Sequence, residues 1–161
     1  MKALTLHQPF ASLIVEGFKQ YEFRGWLPPE AVFGQRVVVH AAAKKVDMAQ
    51  LRGIFFDMVE GPPDSSMWCL EGGDSLESRL KHWIDHPEDL PLAAGLGTIL
   101  ISGYRTGDVV ARIYGADGEL LEGYDTNYAW CLAQPDRWVD PFPARGFQKL
   151  WNWTGPESVG A

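Results

Sequence analysis

Leu4-Thr-Leu-His-Gln-Pro-Phe-Ala-Ser-Leu-Ile-Val-Glu-Gly-Phe-Lys-Gln-Tyr-Glu-Phe-Arg-Gly-Trp26 is the stretch from which the rest of the chain is read. Gln8-Pro9 opens a helix, because proline has no amide hydrogen to leave unpaired in a first turn. Phe10, Leu13, Ile14 and Gly17 recur at i, i+3, i+4 and i+7, an apolar stripe able to lie on a sheet. Gly17 stands where a helix ends in a left-handed residue. Residues 19–24 then alternate polar and aromatic side chains, the pattern of a strand with Tyr21 and Phe23 inward and Glu22 and Arg24 outward. Strict alternation sets Lys19 on the face opposite Glu22, and a bend or bulge just after Gly17 brings the two together. The segment thus delivers an ammonium, a carboxylate and a guanidinium within six residues.

Outward from this segment, residues 3–6 read as a first strand, 9–17 as the helix and 20–24 as a second strand. Leu27-Pro-Pro-Glu30 and Gly34 form the loop that ends it. Residues 36–40 are a valine-rich buried strand whose end projects His40 and then Lys44-Lys45. Residues 47–60 carry Met48, Leu51, Ile54, Phe55, Met58 and Val59 at helical spacing, a helix that covers one side of the sheet. Gly61-Pro-Pro-Asp-Ser-Ser66 is a connector, and residues 75–85 form a second, acidic helix bearing Leu76, Leu80, Trp83 and Ile84. Residues 95–102 and 104–114 read as strands, Asp117-Gly118 as a hairpin turn, 128–132 as another strand and 147–153 as the closing segment. Five to seven short strands with interleaved helices make an α+β chain, a small mixed β-barrel with helices outside it or at its ends.

The bulk properties agree with one domain over residues 1–161. Hydrophobic content of 46% and seven tryptophans argue against disorder. No segment approaches the ~20 apolar residues that cross a bilayer. Met1-Lys2 runs straight into strand-like residues without a signal-peptide core, so a cytoplasmic protein is expected. Cys69 and Cys131 are far apart and lack CxxC or CxxH spacing, which reads as two free thiols rather than a zinc site. His82 and His86 are four residues apart, but Asp85, Glu88 and Asp89 beside them read as an acidic surface helix; neither a metal nor an organic cofactor is expected. No phosphate-binding glycine loop, HExxH or G-x-S-x-G element occurs, which excludes P-loop enzymes, zincins and α/β-hydrolases.

Formal charge is −7 over the chain, yet its distribution is uneven. Residues 1–45 hold six Lys or Arg against three Glu, and residues 46–91 hold three against ten acids. The molecule repels a long polyanion at a distance while its only positive third holds the candidate site, a balance suited to a short anionic or nucleoside ligand rather than to nonspecific binding of long duplex.

The run Gln8-Pro-Phe-Ala-Ser-Leu-Ile14, followed by Gly17-x-Lys19-x-x-Glu22-x-Arg24-x-Trp26, closely resembles the ASCH domain, a family named for its relation to a transcriptional coactivator and placed among the PUA-like barrels. Val37-Val-Val-His40-Ala-Ala-Ala-Lys44 and Pro141-x-Pro143-x-Arg145-Gly146-x-Gln148-x-x-Trp151-x-Trp153 fit in the same order. The resemblance spans almost the whole chain and leaves residues 46–95 as a variable helical insert.

What it implies is a cleft that recognises RNA or a modified nucleoside or nucleotide, built around Lys19, Glu22 and Arg24. Arg24 offers an anchor for phosphate or carbonyl oxygen, and Glu22 an acceptor for base amino groups. His40 ends the valine strand either as a core histidine or as a cleft residue, with Lys44 following it. His7 either orients the first helix or touches ligand, and Gln8 beside it is a further ligand-binding candidate. Arg145, in a proline-stiffened turn, is displayed to solvent or ligand. Trp26, Trp130, Trp151 and Trp153 read as core, with one of them, or Tyr21 or Tyr128, available for stacking on a base.

Some small relatives of this kind are amidohydrolases acting on N4-acylated cytidines through a lysine, a threonine and a glutamate; others are ribonucleases. Lys19 occupies the lysine position, but Glu22 stands where the hydrolases have threonine, and no acid between Gly97 and Asp108 matches their glutamate. Hydrolysis with Glu22 activating water and Lys19 or Arg24 holding the oxyanion is the alternative to binding alone. A third expectation makes the acidic insert, with Phe55, Phe56 and Trp83, a docking surface for a protein partner.

Overall fold

The computed structural model describes residues 1–61 and 68–157. Strand β1 (Lys2–Leu6), helix α1 (Phe10–Val15) and strand β2 (Tyr21–Arg24) come from the opening segment. They are followed by β3 (Gln35–Ala41), α2 (Met48–Val59), α3 (Gly73–Asp85), β4 (Ala94–Thr106), α4 (Gly107–Ile113), β5 (Tyr128–Pro143) and β6 (Leu150–Asn152). The strands form one curled six-stranded sheet, a half-barrel, in the order β2-β5-β4-β3-β1-β6. β1 runs parallel to β3 and the other neighbours are antiparallel. Register shifts at Val39/His40 and at three points between β4 and β5 interrupt the ladders, and such bulges bend and twist the strands that carry them.

Helix α1 is buried on nearly every side. Ala11, Ile14 and Val15 join the core on the sheet, with Leu4, Val37, Val39, Leu96, Ile101 and Trp130. Leu13 belongs to a second core with Leu51, Ile54, Leu76, Leu80 and Trp83 of α2 and α3. The expected single stripe is therefore too narrow a description: α1 is a middle layer between the sheet and the α2–α3 pair. Its end is as read from the sequence. Gly17 has φ +84°, and the amides of Gly17 and Phe18 donate to the carbonyls of Ile14 and Leu13 at 3.0 and 2.9 Å, the paired bonds of a Schellman stop.

Helices α2 and α3 lie close to their expected positions, α2 capped by Asp47, whose side chain accepts from the Gln50 amide at 3.1 Å. The connector expected at 61–66 falls, from residue 62 onward, outside the described residues. Trp83 is 2% exposed and belongs to the core rather than to a docking surface, whereas Phe56 is exposed.

The largest departure lies between residues 104 and 121. The strand expected over 104–114 ends at Thr106, and α4 follows, with Asp108 in its first turn and Val110 and Ala111 buried. Val109, Val110 and Ile113 favour strand by local preference, and burial of one helical face overrides that preference. The expected Asp117-Gly118 hairpin turn instead leads into a 3-10 turn over Gly118–Leu121. β5 is much longer than the expected 128–132, reaching Pro143 alongside β4. Among the described residues, no helix is long and apolar enough to cross a membrane.

Candidate functional site

Geometry at the start of β2 gathers the three charges. The Schellman stop turns the chain, the Lys19 amide donates to the Leu13 carbonyl at 3.1 Å, and Lys19 forms an antiparallel bridge with Leu70. Lys19 thus stands before the strand rather than in it, and its side chain folds back to the face that strict alternation denies it. The Lys19 ammonium donates to Glu22 Oε2 at 2.9 Å and to the Tyr21 carbonyl. Glu22 Oε1 lies 3.0 Å from Arg24 Nε, a charge contact not aligned as a hydrogen bond. Arg24 Nη2 donates to the Thr5 carbonyl on β1 at 3.3 Å.

The facing expected of β2 is reversed at its centre: Glu22 is buried, at 7% exposure, as is Lys19, at 6%. Tyr21 and Phe23 pack on the other side, edge-on to Tyr114 and Tyr124 at 6.2 and 5.1 Å between centroids. Tyr114 ends α4, in the segment that sequence preference reads as strand, and Tyr124 follows the 3-10 turn beyond it. With that region folded over the aromatic face, both faces of β2 are covered, and the carboxylate is buried between its cations.

Two adjoining lobes open beside this trio. The larger, about 1160 Å³, is bordered by Thr5, His7, Arg24 and His40, by Ala42, Ala43, Ala93 and Ala144, and by the 145–149 loop. The smaller, about 370 Å³, is bordered by Glu22, Arg24, Lys44 and Lys45, among others. Thr5, Leu6, His7 and Arg24 border both, so Arg24 stands at their junction. Its Nη1 has no partner among the described residues. Lys44, Lys45, Arg145 and Lys149 are exposed around the lobes, and among the described residues none of them forms an ion pair.

The remaining named residues divide. His7 is exposed and reaches both lobes. Gln8 touches the smaller lobe, but its amide is consumed by structure: Oε1 accepts from the Ser12 amide at 3.2 Å, and Nε2 donates to Ser12 Oγ and the Pro91 carbonyl at 2.9 and 2.8 Å. It satisfies a first-turn donor of α1 and ties that helix to the approach to β4.

His40 is fully buried at the floor. Nε2 lies 2.9 Å from the Ala144 carbonyl, which can only accept, so Nε2 carries the proton and Nδ1 accepts from the Thr5 hydroxyl at 3.3 Å. Thr5 Oγ1 in turn accepts from Trp151 Nε1 at 3.0 Å. Burial holds the His40 imidazole below its ordinary value of 6.5, against an opposing effect of the bond with Ala144. It is a neutral strut under the Arg145 loop that also borders the larger lobe.

Sequence reasoning missed Thr5, Phe147 and Lys149. Thr5 lay within the opening stretch, and Phe147 filled the unspecified position between Gly146 and Gln148. Neither residue type announces a site, because the β1–β6 pairing and the 145–149 turn are what bring them to the cleft. Tyr21 and Tyr128 pack against other aromatics, and Trp151 stands behind Phe147. His82 and His86 each face an acid, Asp89 and Glu88, at 2.7 and 3.3 Å, and no group of three potential metal ligands occurs among the described residues. Chemically, the cleft offers unpaired donors for anionic or carbonyl oxygens, a buried carboxylate behind them and a floor of small apolar side chains.

The ASCH domain family model matches residues 4–89. Activating signal cointegrator 1 of Homo sapiens is 24% identical over 148 residues, covering 92% of this chain and 21% of that protein. The Mus musculus protein of the same name is 22% identical with the same coverage; the chain spans about a fifth of the length of these curated relatives. Among solved structures, a mutant of ZmASCH from Zymomonas mobilis matches the fold with a TM-score of 0.51 at 14% identity, over 97% of this chain and 89% of that one.

Proposed function

The chain belongs to the ASCH domain family, and from that premise we propose that its cleft binds RNA or a modified nucleoside or nucleotide. The observation that carries this reading is Arg24: it is anchored by Glu22 and Thr5, borders both lobes, and makes no hydrogen bond through Nη1 among the described residues. A guanidinium fixed on one side presents its remaining donors to a phosphate or a base carbonyl at low entropic cost. The unpaired rim cations supply local attraction that the chain's overall charge opposes. Binding is preferred to hydrolysis because Glu22 stands where the hydrolases this chain resembles have threonine, and no acid between Gly97 and Asp108 matches their glutamate.

A thermal-shift screen of nucleosides, nucleotides and short RNAs, confirmed by calorimetry, tests the proposal. A ligand at one hundred times its Kd stabilises the fold by about 2.7 kcal/mol whether or not it is turned over. The expected result is a stabilising ligand whose effect is lost in Arg24→Ala. Absence of binding by every probe, or equal affinity in a Lys19→Ala, Arg24→Ala double variant, overturns it. Turnover of acylcytidine or RNA above a Glu22→Gln control replaces binding by hydrolysis as the reading.

A further inference from the structure

Resting on that reading, we infer that the occupant of the larger lobe is an unpaired nucleotide, its base stacked on Phe147 and its phosphate held by Arg145 and Lys149. Phe147 is 53% exposed and borders the lobe. A large apolar ring displayed at the mouth of a cation-rimmed cleft gives stability nothing that burial would not give better. Its placement is fixed from behind: Trp151 packs at an angle to it, centroids 5.3 Å apart, and Trp151 is itself tied to Thr5.

The loop that carries it is seated on the His40 strut. A Cβ on Gly146 falls 2.4 Å from His40 Cε1 and 2.8 Å from Thr5 Oγ1, so only glycine lets the backbone lie this close. The ring is therefore presented by a backbone pinned on both sides, and little freedom is lost when a base settles on it.

Three features select the occupant. The lobe is bordered by Ala42, Ala43, Ala93 and Ala144, side chains short enough to leave room for a flat ring beside Phe147. The Arg145 guanidinium lies over one face of the Phe147 ring, its carbon 5.7 Å from the centroid, which keeps a cation within reach of the sugar-phosphate of a base stacked on the other face. Duplex is excluded by chemistry: a base inside a helix has no bare face to offer an aromatic ring, and recognition by stacking needs an unpaired base. The chain's −7 charge removes the long-range attraction that nonspecific duplex binding depends on.

The test is fluorescence anisotropy with one short labelled RNA in three forms: single-stranded, annealed to its complement, and carrying abasic sites. Base–aromatic stacking is worth ~1 to 3 kcal/mol, which converts to an affinity loss on the order of 5- to 150-fold at 1.36 kcal/mol per decade. Wild-type protein is expected to bind the single strand best and the abasic strand more weakly by that factor. Phe147→Ala is expected to bring the single strand down to the abasic value while leaving the abasic affinity unchanged, and Phe147→Trp to retain binding. Competition by a nucleoside monophosphate at equal affinity identifies the free nucleotide as the source of the same base and phosphate. Equal single-strand affinity in Phe147→Ala, or equal affinity for duplex, overturns the inference while RNA binding stands. Failure of every RNA and nucleotide to bind removes the underlying reading as well.

Discussion

Replacing Glu22 by glutamine keeps the shape of the side chain and removes its charge. In the structure Glu22 is 7% exposed, with Lys19 Nζ at 2.9 Å and Arg24 Nε at 3.0 Å from its two oxygens. The consequence falls unequally on the partners. The Arg24 side chain is 25% exposed and can turn toward water, but the Lys19 side chain is 7% exposed and cannot. Glu22→Gln therefore strands a buried ammonium with only neutral oxygens, and removing one partner of a buried pair costs about 3–5 kcal/mol. At roughly 2–4 °C per kcal/mol for a chain of this size, Tm falls by about 6–20 °C. Urea unfolding followed by tryptophan emission measures the loss directly. Adding Lys19→Met to Glu22→Gln removes the stranded cation and is expected to recover much of the stability, because the uncompensated buried charge is the main cost of breaking such a pair. A Glu22→Gln protein within about 1 kcal/mol of wild type, the range of an exposed ion pair, refutes the argument that the trio is a buried unit.

Three further outcomes follow from the same geometry. Burial lowers the His40 pKa from 6.5, so as pH falls through 6.5 the unfolded chain takes up this proton before the folded one does; His40 thus subtracts stability below about that pH and contributes no pH dependence above it. Urea midpoints from pH 8 to 5 should show a shallower acid-side loss in His40→Gln than in wild type, and parallel curves sink this account. Gly146→Ala puts a methyl group 2.4 Å from His40 Cε1, an overpacking expected to cost about 1–3 kcal/mol and to weaken ligand binding by displacing the Arg145 loop; a variant with wild-type melting and wild-type affinity contradicts it. Burial raises the Cys69 thiol to about 11 and the Cys131 thiol above its ordinary value, so a disulfide-exchange reagent at pH 8 is expected to label both slowly in native protein and rapidly in denaturant; fast native labelling refutes the burial argument.

Local chemistry and sequence spacing determined the opening segment. Proline start, apolar spacing and the left-handed Gly17 set α1 and its stop, and the bend after Gly17 that brings Lys19 onto Glu22 followed from the need to break alternation there. The valine run of β3, the spacing of α2 and α3, the family resemblance, and the membership of Arg24, His7, His40, Lys44 and Arg145 in one neighbourhood were legible for the same reason: each depends on short-range pattern or on motifs in order. What could not be read is what depends on covering. Val109, Val110 and Ile113 prefer strand in isolation and become helix once that segment packs over Tyr21 and Phe23. On the opposite face of β2, Glu22 is buried between Lys19 and Arg24, which the turn after Gly17 and the approach of β1 bring together. Likewise, the three-layer burial of α1 arises only when α2 and α3 close over it. Phe147 becomes a cleft residue only because β6 returns beside β1 and seats Gly146 on His40. Sequence determined which charges and turns exist, since those are properties of residues and their near neighbours. Tertiary structure decided which groups are dry, which are displayed and which face each other, since burial belongs to pairs of surfaces that no single segment contains.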